Sequence, residues 1–532
     1  MYPSKNPFRP FIYALLLAAG LLIGSKLSFN SGINLTSEDG GSGGNKIENI
    51  INFIVENYVD DVKKDSIEQM TLSNMLQALD PHSDYIPASD LQAMNEPLEG
   101  NFDGIGVEFN ILKDTIVVVN PISGGPSEEA GILSGDKIIT VDGKNVAGIK
   151  ITNQQVFKSL RGKKGSKVNI KIKRSGKKGL IDFSITRGEI PIYSIDAHFM
   201  LNANTGYIKI SRFAATTYKE YLTAFNNLKD RGMKKLIIDL RGNGGGYLNA
   251  AVSLADEFLN KGMQIVYTMG KASPKREYRA STKGGFESDP LAILIDEGSA
   301  SASEILAGAV QDNDRGLIIG RRSFGKGLVQ EQMDLPDGSA IRLTTARYYT
   351  PSGRCIQKSY KNGLEEYFNE EYQRYQNGEL LNPDSIKFAD SLKFHTASGK
   401  TVYGGGGIMP DIFVAFDTSY RSTFLNKIVF SGLTSDFCLE YVNENREQLK
   451  KYENSDLFID KFSLSQDVFS KFLSYAEKNT IKASSTDLIK SKVYLQNQLK
   501  ALIGRTLFGN EVYYRVLQSE DKTIQRAISE LK

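Results

Sequence analysis

Cysteine is almost missing from this chain of 532 residues: there are two, Cys355 and Cys438, in separate regions and without CxxC spacing. Such a pattern gives neither a zinc ribbon nor a disulfide framework, and it fits a cytosolic or a periplasmic home equally well. Histidine is as scarce. His82, His198 and His395 lie far apart and no HExxH occurs, which removes the common helix-borne zinc protease site. Any catalysis is therefore expected to run without a bound metal or other cofactor. A one-sided charge is lacking too, since 65 basic residues against 62 acidic leave a net charge of +3. So small an excess over this length gives no electrostatic case for nucleic acid as a partner.

What is present is globular in kind, with 40% hydrophobic and 24% charged residues. At roughly 150 residues per domain the length suggests three or four domains. The N-terminus bears on compartment: Lys5 and Arg9 precede the uncharged apolar run FIYALLLAAGLLI, residues 11–23. That order is the order of a signal sequence, and basic residues on the N-terminal side keep that end in the cytoplasm. Residues 1–30 are thus expected to be a signal peptide or an uncleaved membrane anchor. No A-x-A site follows, which favours the anchor, and no cysteine follows, which excludes a bacterial lipid anchor. The remaining chain is expected in the cell envelope, on the periplasmic side of the inner membrane.

The polar, glycine-rich stretch at 31–45 reads as a flexible tether. Over 46–102, Ile47, Ile50, Ile51, Ile54 and Val55 fall at helical spacing, a second helix is expected around Leu72 to Leu79, and LDPHSDY breaks the pattern. Residues 103–187 change to short β-rich runs separated by Gly and Pro, such as TIVVVN and KVNIKIK. DGIGVEF, then GPSEEAGILSGDKIITVDG, a helix around Gln154 to Leu160, and RGKKGSKVNIKIKR follow in an order that resembles a PDZ domain. The resemblance implies that Gly104, Ile105, Gly106 and Val107 form a loop whose amides receive a peptide's C-terminal carboxylate, the peptide adding as a strand to the sheet edge. Taken by themselves, the glycines of GIGV would serve only a tight turn. Arg161 in LRGKKG reads as a solvated basic turn, the alternative being a link between the position of this domain and a functional site.

Residues 188–416 alternate strand and helix runs, the pattern of a layered α/β domain, interrupted at 362–395 by a charged segment that reads as a surface insertion. Residues 417–532 are rich in helix formers. Leu488, Leu495, Leu499 and Leu502 make one apolar stripe, which is ordinary helix packing more often than a dimer seam.

Within the α/β region GRRSFGKG, residues 320–327, is nearly a P-loop, but Gly327 stands where Ser or Thr would ligate magnesium. The following LVQEQMDLPDGSAIRLTT predicts a strand and hairpin, not the helix whose N-terminus would hold phosphate. That context argues against nucleotide binding, and a nucleotide hydrolase stays only as a third reading. Upstream, AILIDEGSASASEILAGAV predicts a strand, a turn and a helix, which exposes a serine at the helix start as in hydrolase nucleophiles. Ser301 to Glu304 is also a capping box, and capping alone would explain a lone serine there.

DLRGNGGG (239–246), GSASASEILAGAVQD (298–312), GRRSFGKGLVQ (320–330), TTARYYTPSGRCIQ (344–357) and GGGGIMPD (404–411) together resemble the carboxyl-terminal processing proteases, from about residue 46 to 416. This resemblance implies a crotonase-like or ClpP-like α/β core with an N-terminal, mainly β PDZ domain and flanking helical segments. It implies Ser301 as nucleophile, Lys326 as base and Gln330 as the third member, with oxyanion donors from Gly245 or Gly246 and Ala302. The implied activity is serine endopeptidase action on exported proteins near their C-termini, the tails being captured by the PDZ domain and ending in apolar or small residues. A homodimer built from terminal helices is implied as well. An inactive PDZ adaptor of the envelope is the alternative, and the intact Ser/Lys/Gln set argues against it. The chemistry explains the residue types: an amine accepts the hydroxyl proton only when neutral, and its ordinary pKa of about 10.4 must be lowered by burial away from carboxylates. Glutamine orients such an amine without restoring its charge.

Two look-alikes fail. Gly244 occupies the serine position of a GNSGG-type motif, and Ser323-Phe-Gly-Lys326 fits S-x-x-K only if Gly325 were helical.

Overall fold

The computed structural model describes residues 45–281, 283–386 and 388–531. The apolar run at 11–23 and all but the last residue of the 31–45 tether lie outside the described residues. Among the described residues no helix is long and apolar enough to cross a membrane. The chain divides into a unit ending at Thr71 and a unit from Leu72 onward. The first carries the helix Asn45–Asn57, on which Ile51 is buried while Ile47, Ile50 and Phe53 are exposed.

In the second unit the chain enters a β domain through Asn101–Gly104 and leaves it through Gly188–Pro191, and these two strands pair antiparallel, Asn101 opposite Pro191 and Gly104 opposite Gly188. Between them Val107–Leu112, Thr115–Pro121, Lys137–Val141, Lys167–Lys173 and Ile181–Thr186 pair in that order into an antiparallel sheet. KVNIKIK shows why it folds so: Val168, Ile170 and Ile172 turn inward and the lysines outward, the period of a half-buried strand. The helix Asn153–Leu160 closes the domain. It starts at a capping box, Thr152 Oγ1 accepting from Gln155 N–H and Gln155 Oε1 from Thr152 N–H, and it buries Val156 and Leu160.

The α/β core is a six-stranded sheet in the order Ile195–Met200, Thr205–Ile210, Lys235–Asp239, Leu291–Ile295, Leu317–Gly320 and Ile412–Phe413. Only the first pair is antiparallel. TGYIKI and LAILI are buried at every position, as parallel strands covered on both faces must be. One face packs on the helices Thr217–Asp230, Leu248–Asp256 and Ala302–Asp312 through Ile208, Ile238, Leu228, Leu254 and Leu306. The other face, with Tyr207, Ile237, Leu294 and Ile319, is covered by Ile524, Ala527 and Leu531, from the helix Lys522–Glu530 and the residue after it. Layered α/β core, β domain before it and helical flanks thus match the architecture read from the sequence.

A second sheet holds the hairpin Leu328–Asp334 and Ala340–Tyr349, which pair antiparallel, with Asp84–Ile86 and Gln264–Met269 on the long strand. Residues 424–512 form a helical cluster of their own, in which Leu495 and Leu499 are fully buried and Leu488 and Leu502 pack against them. The leucine stripe is internal packing.

Two sequence readings are corrected here. The insertion helix Leu364–Gln376 has an exposed face but is anchored in the core: Tyr367 and Arg374 are buried, and Arg374 donates to the carbonyls of Ser323 at 2.8 Å and Phe324 at 3.3 Å. Arg161 is not a solvated turn. Its guanidinium is ion-paired with the buried Glu96 and lies 4.6 Å from the Phe102 ring and 4.7 Å from the Phe157 ring.

Candidate active site

GSASASE contains three serines with different fates. Ser299 and Ser303 are fully buried and stitch the turn to DLRGNGGG, Ser299 Oγ donating to the Leu240 carbonyl and Ser303 Oγ to the Asn243 carbonyl, both at 2.9 Å. Ser301 alone reaches a cleft of about 700 Å³. It does so from a backbone at φ 55° and ψ −112°, a region non-glycine residues avoid, so the surrounding turn holds strain at this one position.

Glu304, read from the sequence as a cap, organises the site. Its Oε2 accepts from the N–H groups of Ser301 at 2.8 Å and Lys326 at 2.9 Å, and its Oε1 from the Gly325 N–H at 2.8 Å and the Ser323 hydroxyl at 2.5 Å. One buried carboxylate therefore clamps the serine turn to the lysine loop. Ser323, also bonded to the Ile408 N–H at 2.6 Å, is fully engaged and has no access to chemistry. Tyr348 adds a second tie: its hydroxyl donates to the Lys326 carbonyl at 2.7 Å and lies 3.2 Å from that of Ser301. This tyrosine's role is not readable from the chain, because its strand pairs in the other sheet.

Lys326 lines the same cleft, and its Nζ donates to Gln330 Oε1 at 3.0 Å. The Gln330 amide is held from behind, since its Nε2 donates to the His82 carbonyl. His82 is in turn fixed by a 2.8 Å hydrogen bond between its Nε2 and the Tyr367 hydroxyl. Burial lowers the Lys326 amine below the ordinary lysine range, against the carboxylates of Asp80 and Glu304 and with help from the Arg342 cation. Burial also pushes His82 down to about 4 and Glu304 up to about 7, the latter against four hydrogen bonds that favour its charged form.

Of the expected oxyanion donors, Gly245 is corrected: its N–H is already donated to Asn243 Oδ1 at 2.8 Å. Gly245 is there for a different reason. At φ 100°, with an added Cβ falling 2.8 Å from Ser301 Cβ and 2.9 Å from the Ala302 nitrogen, only glycine lets the loop lie against the serine turn. Among the described residues no hydrogen bond uses the N–H of Gly246 or Ala302, and Gly244, read from the sequence only as the failed serine position of a GNSGG-type motif, lines the cleft beside Gly245 and Gly246.

In the β domain, Gly104 closes the entry ribbon, the Ile105 and Gly106 carbonyls accept from Ser127 and Ile122 at 3.0 and 2.9 Å, and Val107 begins the edge strand of the sheet. Among the described residues no hydrogen bond uses the Ile105 or Gly106 N–H. The edge strand faces the helix Asn153–Leu160 through Phe109 and Phe157, ring centroids 5.5 Å apart.

The profile of Peptidase family S41 matches residues 204–366, and a PDZ-domain profile matches residues 104–185. The carboxy-terminal processing protease CtpA of Bacillus subtilis is 35% identical over 324 residues, 61% of this chain and 68% of that protein. The chain belongs to peptidase family S41. CtpB of the same organism is 36% identical over 316 residues, 59% of this chain, and the match spans 65% of CtpB, just under two thirds of its length. Among solved structures, a photosystem II D1 C-terminal processing protease is similar at 26% identity, covering 69% of this chain and 92% of that one, with a TM-score of 0.35. In this S41 chain residues 424–509 also match a family of unknown function, DUF8443. That segment coincides with the separate helical cluster.

Proposed function

We propose that this S41 chain is a serine endopeptidase of the carboxyl-terminal processing type, with Ser301 as nucleophile, Lys326 as general base and Gln330 as the residue that orients the amine. The observation that carries the reading is the single oxygen of Glu304 that binds the backbone N–H of both Ser301 and Lys326 while both side chains line one cleft. A neutral Lys326 amine accepts the Ser301 hydroxyl proton as Oγ attacks the peptide carbonyl. The N–H of Ala302 and Gly246 take the developing oxyanion, without Gly245. The ammonium then protonates the departing amine, and the same amine activates the water that releases the acyl group. Gln330 Oε1 accepts one amine N–H and leaves the lone pair for the serine.

Gly104, Ile105, Gly106 and Val107 capture the substrate's C-terminal carboxylate, the tail adding to the Val107–Leu112 edge. Substrates are exported proteins, met outside the cytoplasm, with residues 1–30 as leader or anchor.

Ser301→Ala and Lys326→Ala test the reading on purified protein, with a loosely folded substrate bearing an apolar C-terminus. Each is expected to lower cleavage by about 10,000-fold or more while leaving the thermal midpoint near that of the native chain. Undiminished cleavage by either variant overturns it.

A further inference from the structure

The catalytic lysine of the proposed mechanism stands between two cavities. The 700 Å³ cleft holds Ser301 and the glycine loop; a second cavity of about 510 Å³ holds neither, and shares with the first the side chains of Lys326, Gln330 and Arg342. Its walls come from three separate parts of the chain and include Ile86, Met94, Leu364 and Phe368. Met94 and Phe368 are 42% and 57% exposed. Phe368 packs edge-on against the Tyr367 ring, centroids 5.3 Å apart, and together with Met94 it leaves apolar surface open to solvent in this cavity.

We infer that this second cavity is the subsite for the leaving side of the substrate and that it selects a large apolar side chain in the first or second residue after the scissile bond. The inference rests on the protease reading. In that reading the departing amine takes its proton from Lys326, so the chain beyond the bond lies on the lysine's side of the site. The space there is the second cavity, which adjoins the cleft at Lys326, Gln330 and Arg342. Its charged wall groups are Asp84 and Glu365 of one sign and Arg342 of the other, one net negative charge while Lys326 is neutral, which disfavours an acidic side chain. Arg342 is held at the shared wall by Asn95 Oδ1 at 2.7 Å and Gln332 Oε1 at 3.3 Å.

The insertion helix builds one wall and is held in place on its inner face. Tyr367 is buried with its hydroxyl on the His82 ring, and Arg374 donates to the carbonyls that precede the lysine. Phe368, the next residue after Tyr367, is therefore presented from an anchored helix. The insertion thus makes a specificity wall beside the base.

The test is a series of peptides sharing one cleavable sequence, with Leu, Phe, Gly, Glu or Lys at each of the two positions after the bond, hydrolysed by the native chain and by Phe368→Lys and Phe368→Asp. The native chain is expected to favour Leu or Phe over Gly at one position by about tenfold in kcat/KM. Phe368→Lys is expected to shift the preference at that position toward Glu, and Phe368→Asp toward Lys; a gain of opposite sign in two variants of one exposed residue does not arise from misfolding. Equal cleavage of all peptides by the native chain, or an apolar preference kept by both variants, overturns the subsite and leaves the protease reading standing. A native chain that cleaves neither these peptides nor a loosely folded protein overturns both.

Discussion

The proposed base, Lys326, must lose its own proton before it takes another, and burial favours that loss against the carboxylates of Asp80 and Glu304. The amine is desolvated, its hydrogen-bond partner is a neutral amide, and the nearby Arg342 opposes its charge. The amine's lowered pKa means that the basic form appears at lower pH than for a free lysine. The rate is therefore expected to rise with pH and level off below the ordinary lysine range, which a kcat/KM profile measures. Gln330→Glu would place a carboxylate on the amine and favour the ammonium, so the rise is expected to move to higher pH and the rate at pH 7 to fall. His82 carries a second pH dependence, of stability. Its folded pKa of about 4 lies below the ordinary 6.5, so the unfolded chain binds the extra proton between those values. The contribution is complete above pH 6.5 and is lost as pH falls toward 4. Thermal midpoints of the native chain are expected to drop over that window more steeply than those of His82→Gln. Ser301 and Lys326 were singled out because their motifs resemble those of a known family, and the fold brings both residues to one cleft. Glu304 was visible only as a helix cap, because its other partners, Ser323 and Lys326, are brought to it by the fold. The engagement of the Gly245 amide was hidden for the same kind of reason, since a run of glycines does not say which N–H points where.

At the scale of elements, strands were read well where composition forces them: LAILI has no polar residue and is buried throughout. The insertion was misread because a charged helix looks solvated until its partners are known. Its Glu370 meets Arg322, Lys358 and Arg374, so the charges face each other as well as water. Another charged pair shows the cost of such burial. Arg354 of the TTARYYTPSGRCIQ segment and Asp312 at the end of the Ser301 helix are both wholly buried and 2.7 Å apart. Arg354→Met leaves the carboxylate without its cation and is expected to destabilise by about 3–5 kcal/mol, read by denaturant titration. Replacing both residues with apolar ones of similar volume is expected to cost less than that single change.

At the scale of the whole second unit, the helix Lys522–Glu530 covers a face of the central sheet, and Asp521 at its start pairs with Arg241 of DLRGNGGG at 2.8 Å. An amphipathic helix announces an apolar face but not the strands it will cover, which lie hundreds of positions earlier in the sequence. Ile524→Ala is expected to cost about 2–5 kcal/mol by opening that face. Chemical denaturation of the variant measures it. The two-stranded ribbon Asn101–Gly104 and Gly188–Pro191 has an outcome of another sort. Because the β domain departs from the α/β core and returns to it at adjoining points, it is carried like a cartridge: under the proposed function, exchanging everything between the two ribbon strands for a module of different taste would redirect the same cutting machinery to a different set of tails.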